Sequence, residues 1–161
     1  MKKQTLHRIP TGLLLLGMII TILFAMVYPQ LAHASVLPGT TCSESLGVRT
    51  CDLWATTGTL SLPGAVSVPI WGYAGDNVSP AGLPGPTLIA TAGETLVINL
   101  TNNLSEATSL SIRGLSGPSD TVGAAGGGGT KAYTYVDLQP GTYLYEAGPT
   151  ANGERQIAMG M

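Results

Sequence analysis

Beyond His33 the chain contains no histidine, and its only two cysteines, Cys42 and Cys51, stand close together near the start. Serine and cysteine nucleophiles are activated by an imidazole base, so neither kind of site can be assembled from residues 34–161. Charge is scarce too, with Asp, Glu, Lys and Arg making up 10% of the sequence. Past Ala34 the cations are Arg49, Arg113, Lys131 and Arg155 against nine acids, a net charge of −5. Cations this few and scattered make no stripe for a phosphate backbone, which argues against nucleic acid as a partner. No run after Ala34 is long and apolar enough to span a bilayer, and none has a helical period.

What is present begins with a basic stretch, Lys2, Lys3, His7 and Arg8, followed by an apolar run from Leu13 to Val27 and then Ala32-His33-Ala34. That order reads as a secretory signal peptide over residues 1–34, cleaved after Ala34. The alternative is an uncleaved anchor, but the run of about 15 residues falls short of the ~20 that a spanning helix needs, and Pro29 follows it. The expected protein is therefore exported, extracellular or in the cell envelope. Cleavage leaves 127 of the 161 residues, one domain's worth.

Outside the cell, Cys42 and Cys51 are expected to form a disulfide, pinning a Pro/Gly/Ser/Thr-rich arm over residues 35–52. The other use, a thiolate pair for a soft metal, lacks further Cys or His to complete a site.

From Leu53 onward, short runs alternate with turn residues. The runs are Leu53–Leu62, Ser67–Tyr73, Thr87–Ala90, Thr95–Asn99, Ser109–Arg113, Lys131–Val136, Gly141–Tyr145 and Arg155–Met159. Leu96, Ile98 and Leu100 point to one side of a strand, and Tyr133 with Tyr135 and Tyr143 with Tyr145 repeat the two-residue period. Val97 makes the second face partly apolar. About eight such strands predict an all-β, two-sheet Greek-key sandwich over residues 53–161. The Gly126–Gly129 run fails as a phosphate cradle, because Thr130 precedes Lys131 and Ala132 follows it. It is expected to be a surface loop.

Three stretches together carry a resemblance. Leu83 to Leu104 contains a Pro84-Gly85-Pro86 turn, a strand, a Gly93-Glu94 turn, and a second strand running into Asn102-Asn103-Leu104. Leu138 to Tyr145 contains Pro140-Gly141-Thr142-Tyr143 with Tyr145 two residues on. Gln156 leads to Gly160. In this order the three stretches resemble the first cupredoxin (plastocyanin-like) domain of multicopper oxidases, over roughly Leu53 to Met161. The resemblance implies a cupredoxin-like sandwich. Family members continue past this point into an apolar strand and further cupredoxin domains. The expectation is a sandwich lacking its last strand, with a C-terminal edge open to further cupredoxin domains or to self-association.

In that family the first domain gives four histidines to a copper cluster, through two His-x-His pairs on adjacent strands. The pair positions here hold Ser111 and Arg113, then Glu146 and Gly148. Arginine does not deprotonate in proteins, and one carboxylate without a partner nitrogen makes a poor copper site. No cofactor is expected in this chain; copper would enter only as part of a larger oxidase. Arg113 and Glu146 are expected to pair across neighbouring strands instead.

Other candidates are weaker. Met159 and Met161 offer only two thioethers to Cu(I). Asp120, Asp137, Glu146 and Glu154 show no spacing that brings two carboxylates into a cleft. Trp54 and Trp71 read as core, with a sugar- or polymer-gripping pair as the alternative. Asn77, Asn99 and Asn103 stand in glycosylation sequons, which matter only in a glycosylating host. The leading expectation is a secreted structural or interface domain of a multicopper-oxidase-like protein, not itself an enzyme. The alternatives are a freestanding extracellular binding module without metal, and a copper oxidoreductase active only with further domains.

Overall fold

A computed structural model describes residues 42–161, so the stretch read as a signal peptide lies outside the described residues. In chain order the elements are β1 (Cys42–Ser45), β2 (Val48–Leu62), β3 (Val66–Ala74), β4 (Thr95–Asn102), β5 (Leu110–Ile112), β6 (Gly129–Tyr135), β7 (Tyr145–Ala147) and a helix, α1 (Gly153–Met159). Part of the predicted arm is thus regular structure. β1 and β2 form a hairpin whose register pairs Cys42 with Cys51, and the two are joined by a disulfide.

β2 is the longest strand and the centre of the larger sheet. Along one edge β4 runs parallel to it, from Val48↔Thr95 to Ala55↔Asn102. On the opposite edge β1 pairs with its first residues, and β3 takes over antiparallel from Trp54↔Ala74 to Leu62↔Val66. β6 adds antiparallel to β4. The smaller sheet is the β5–β7 pair.

The two-residue period explains the core. Cys51, Leu53 and Ala55 of β2 face the same way as Ile98 and Leu100 of β4, and all five are fully buried. Tyr133 and Tyr135 of β6 and Leu110 and Ile112 of β5 complete the layer between the sheets. Buried side chains of this size contribute roughly 1.5–3 kcal/mol each relative to exposure. The Leu96, Tyr133 and Tyr135 faces read from the sequence are those buried here.

Three runs read as strands differ in the structure. Arg155–Met159 lies within α1. Its residues are mostly strong helix formers, Glu154 sits in the first turn, and Gly160 ends the helix in the left-handed region at φ 119°. A five-residue run is too short for its period to tell helix from strand. Thr87–Ala90 joins neither sheet. It follows Pro84 and Pro86, which have no N–H to give a ladder, and the Tyr145 hydroxyl holds it by donating to Pro86 O at 2.6 Å. Of Gly141–Tyr145 only Tyr145 enters a strand. Tyr143 instead donates its hydroxyl back to Gln139 O at 3.1 Å, closing the Pro140-Gly141 corner.

The glycine run forms a turn whose amides are already engaged. Gly127 N donates to Leu104 O at 2.8 Å and Gly128 N to Asn102 O at 2.7 Å. Both residues have positive φ, and a Cβ on Gly126 would sit 2.6 Å from the Ser105 carbonyl carbon.

Beside this turn Asp120 is buried, accepting from Tyr133 OH at 2.7 Å and from the Gly123 and Val122 amides, with Lys131 Nζ at 2.8 Å. Burial alone would raise its pKa, but Lys131, the two amides and Tyr133 together hold it well below the ordinary carboxylate range. A depressed folded pKa contributes stability above the unfolded value near ~4 that is lost as pH falls toward the folded one. Asp120→Asn is expected to cost roughly 1–3 kcal/mol at neutral pH. Urea unfolding at neutral pH and at about pH 3 should show a smaller acid loss in the variant than in the parent.

Candidate functional site

β5 and β7 are neighbours because Leu110 and Ile112 are buried on one side and Ala147 packs with them, which forces Ser111 and Glu146 to the other side. The register places Ser111 directly across from Glu146. Arg113 N donates to Leu144 O at 2.9 Å and Gly148 N to Ser109 O at 2.9 Å, which extends the pairing one step beyond each end of the ladder. The four positions named from the sequence, Ser111, Arg113, Glu146 and Gly148, are therefore brought together on two adjacent strands.

What they form is an ion pair. Arg113 Nε donates to Glu146 Oε1 at 2.6 Å, the cross-strand pair expected from the sequence. The arginine side chain is 65% exposed and the glutamate 12% exposed. Glu146 is thus satisfied by a fixed cation, and Ser111 brings only a hydroxyl. Gly148 brings no side chain, and a Cβ built there would lie 2.3 Å from Ser109 Oγ and 3.1 Å from Ser109 Cβ. A histidine at 148 would require the buried Ser109 side chain to turn away. The donor set does not fit copper. Among the described residues no group of three or more His, Cys, Asp or Glu side chains converges.

The remaining candidates disperse. Asp120 is committed to Lys131 and Tyr133, while Asp137 and Glu154 are exposed. Met161 is buried in the core, and Met159 is half-buried on α1. Trp54 and Trp71 are both half-buried, and Arg155 stacks over the Trp71 ring at 5.3 Å from its centroid.

Sequence reasoning missed the tie that holds α1. Gln156 is fully buried, donating to Glu106 Oε1 and Ala107 O and accepting from Thr108 Oγ1 at 2.8 Å. Arg155 pairs with the same Glu106. The available signal was a glutamine leading into the apolar Ile157-Ala158-Met159, but its partners lie 48–50 positions away.

A groove of about 1020 Å³ opens beside this site. Its walls are the Leu83–Ala92 segment and the Leu138–Glu146 segment, with Tyr73, Ile112 and Leu115 among its lining and Gly160 and Met161 at the end of the chain. Tyr73 and Tyr145 meet edge to face at 5.3 Å between centroids. The Tyr73 hydroxyl is buried with no hydrogen-bond partner, and burial pushes its pKa well up.

The two packed sheets and their strand order fit a cupredoxin fold. The multicopper oxidase family model matches residues 55–161, and the chain belongs to the multicopper oxidase family. Solved structures agree on the fold. The multicopper oxidase of Campylobacter jejuni, described as a metallo-oxidase, superposes with a TM-score of 0.60 at 23% identity, over 77% of this chain and 26% of its own. Multicopper oxidases from Pseudomonas thermotolerans (0.59, 21% identity, 71% and 28% covered) and Pediococcus acidilactici (0.58, 22% identity, 77% and 27% covered) behave alike. The chain thus spans about a quarter of the length of these proteins. No curated protein matches it.

The exposure of Arg113 and the burial of Gln156 predict opposite sensitivities. Arg113→Ala should change unfolding free energy by less than about 1 kcal/mol. Gln156→Ala should cost roughly 2–4 kcal/mol, because Glu106 and Thr108 lose a buried partner and a cavity opens. Equilibrium denaturation of both variants checks the contrast.

Proposed function

We propose that this chain is an exported cupredoxin domain with a degenerate copper site, serving a multicopper-oxidase-like protein as scaffold and interface rather than as a catalyst. The observation that carries this reading is the state of the four family ligand positions. At the positions that the family resemblance assigns to ligands, Ser111, Arg113, Glu146 and Gly148 lie on adjacent strands and present one ion-paired carboxylate and no imidazole, which supports this reading. The Glu146 carboxylate is held by the Arg113 guanidinium, and Ser111 and Gly148 bring no imidazole beside it.

A cupredoxin fold with no imidazole at these positions supports a packing role. Partners fall into two kinds under this reading: further cupredoxin domains, as in the longer relatives, or a second copy of this chain. Any copper chemistry would belong to other domains. The signal-peptide pattern at residues 1–34 supports export, as does a disulfide between Cys42 and Cys51.

Native mass spectrometry of the exported protein after incubation with Cu(II), and with Cu(I) under reducing conditions, tests the reading. The expected result is a chain beginning at Ser35 with no stoichiometric copper on this domain. Copper retained at one or more equivalents through residues 42–161, and lost in Glu146→Gln, would overturn it.

A further inference from the structure

We propose that the Asn152-Gly153 step is a covalent modification site, where the asparagine exchanges its side-chain nitrogen for water, and that the buried Gln156 tie sets how fast. This is independent of the scaffold role proposed above.

The chain has five asparagines, Asn77, Asn99, Asn102, Asn103 and Asn152. Four are engaged through their side-chain amides. Asn99 Nδ2 donates to Asp52 Oδ1 at 2.9 Å, and Asn103 Nδ2 donates to Asn77 Oδ1 at 3.3 Å. Asn102 holds three main-chain partners. Asn152 stands at the turn into α1, and its side chain makes no capping hydrogen bond. It is half-buried, so water reaches it. It is also the one asparagine followed by glycine. The following residue supplies the attacking nitrogen, and a side chain there obstructs an approach that glycine leaves open.

The fold leaves no room to replace that glycine. Gly153 is buried, and a Cβ on it would run into the Gly148 carbonyl oxygen. Close packing of α1 beside the end of β7 therefore imposes the labile step.

In the reaction the Gly153 main-chain nitrogen gives up its proton and bonds to Asn152 Cγ. The Cγ–Nδ2 bond breaks, ammonia leaves with that proton, and a five-membered imide remains. Water then opens the imide at either carbonyl. Opening at Cγ leaves aspartate. Opening at the main-chain carbonyl leaves isoaspartate, whose main chain runs through Cγ and is one carbon longer. One water is consumed and one ammonia released, with no change of oxidation state.

The folded chain resists ring closure, which needs the Gly153 nitrogen close to the plane of Asn152 C, Cα and Cβ. At ψ 5° it lies far from that plane. Rotation toward it breaks the bonds from Gly153 N to Thr150 O at 3.1 Å and from Gln156 N to Asn152 O at 3.0 Å. The start of α1 must lift, and Gln156, fully buried on Glu106, Ala107 and Thr108, opposes that. The reaction therefore runs from a locally open form whose population the tie sets. The longer isoaspartyl main chain cannot restore both bonds in register, so α1 stays loosened from Gly148.

The test is peptide mapping by mass spectrometry of the exported protein held at physiological temperature and mildly alkaline pH. It follows amide-to-acid conversion at all five asparagines and resolves isoaspartate from aspartate. Asn152 is expected to convert first, with isoaspartate among the products. Gln156→Ala should raise the rate at Asn152 by roughly tenfold or more. Asn99, within the larger sheet, should stay unconverted and so report that the domain remains folded. Arg155→Ala removes only an exposed partner of Glu106, and should raise the rate about twofold or more even if Gln156→Ala fails to fold. Conversion at Asn152 no faster than at Asn77 or Asn103 overturns the proposal, as does a rate that neither α1 variant changes.

Discussion

The parallel pairing of β2 with β4 is the constraint from which the rest of the domain follows. Because Cys51 and Leu53 align with Ile98 and Leu100, with Ala55 continuing the row, one apolar face is presented to the smaller sheet. A slip of one residue in either strand would turn that whole row to solvent. The same register sets what lies at the ends. Arg49, beside Leu96, reaches Glu94 in a two-pronged contact, and Glu94 also accepts from the Thr91 amide. Asn102 is fully buried, and its side chain ties Leu104, Glu106 and Ala124 to the end of β4.

From that frame the β5–β7 pair inherits its position. Burial of Leu110, Ile112 and Ala147 against the main sheet is enough to hold Ser111 opposite Glu146, whatever side chains stand there. The same pairing brings Arg113 and Glu146 into contact across the two strands. An arginine–glutamate pair across two strands is a conservative occupant of such a place, since it satisfies a half-buried carboxylate without asking anything of the core. The groove beside it is lined by the exposed Leu83, Ile89, Leu144 and Ile157 and by the Tyr73 side chain, whose buried hydroxyl has no partner.

How much of this the sequence carried depended on distance along the chain. Strand faces were readable wherever a two-residue period ran for several residues, as in Leu96–Leu100 and Tyr133–Tyr135. The Arg113–Glu146 pair was readable because a family pattern supplied the alignment of two strands that propensity alone could not pair. The Cys42–Cys51 bridge followed from residue type and compartment. Asp120 with Lys131 and Tyr133, and Glu106 with Arg155 and Gln156, were not readable, since each joins residues whose proximity exists only after the sheets pack. The helix at Gly153–Met159 was misread as a strand because a five-residue run is too short to show a period. The groove left no local signal at all, being made from segments that are irregular and far apart.

The most direct measurement of the central claim is anomalous diffraction at the copper edge from crystals of this domain soaked in Cu(II). The account predicts no ordered anomalous peak between β5 and β7, with Arg113 still in contact with Glu146. A copper peak bound by Glu146, with Arg113 displaced from it, would contradict the account.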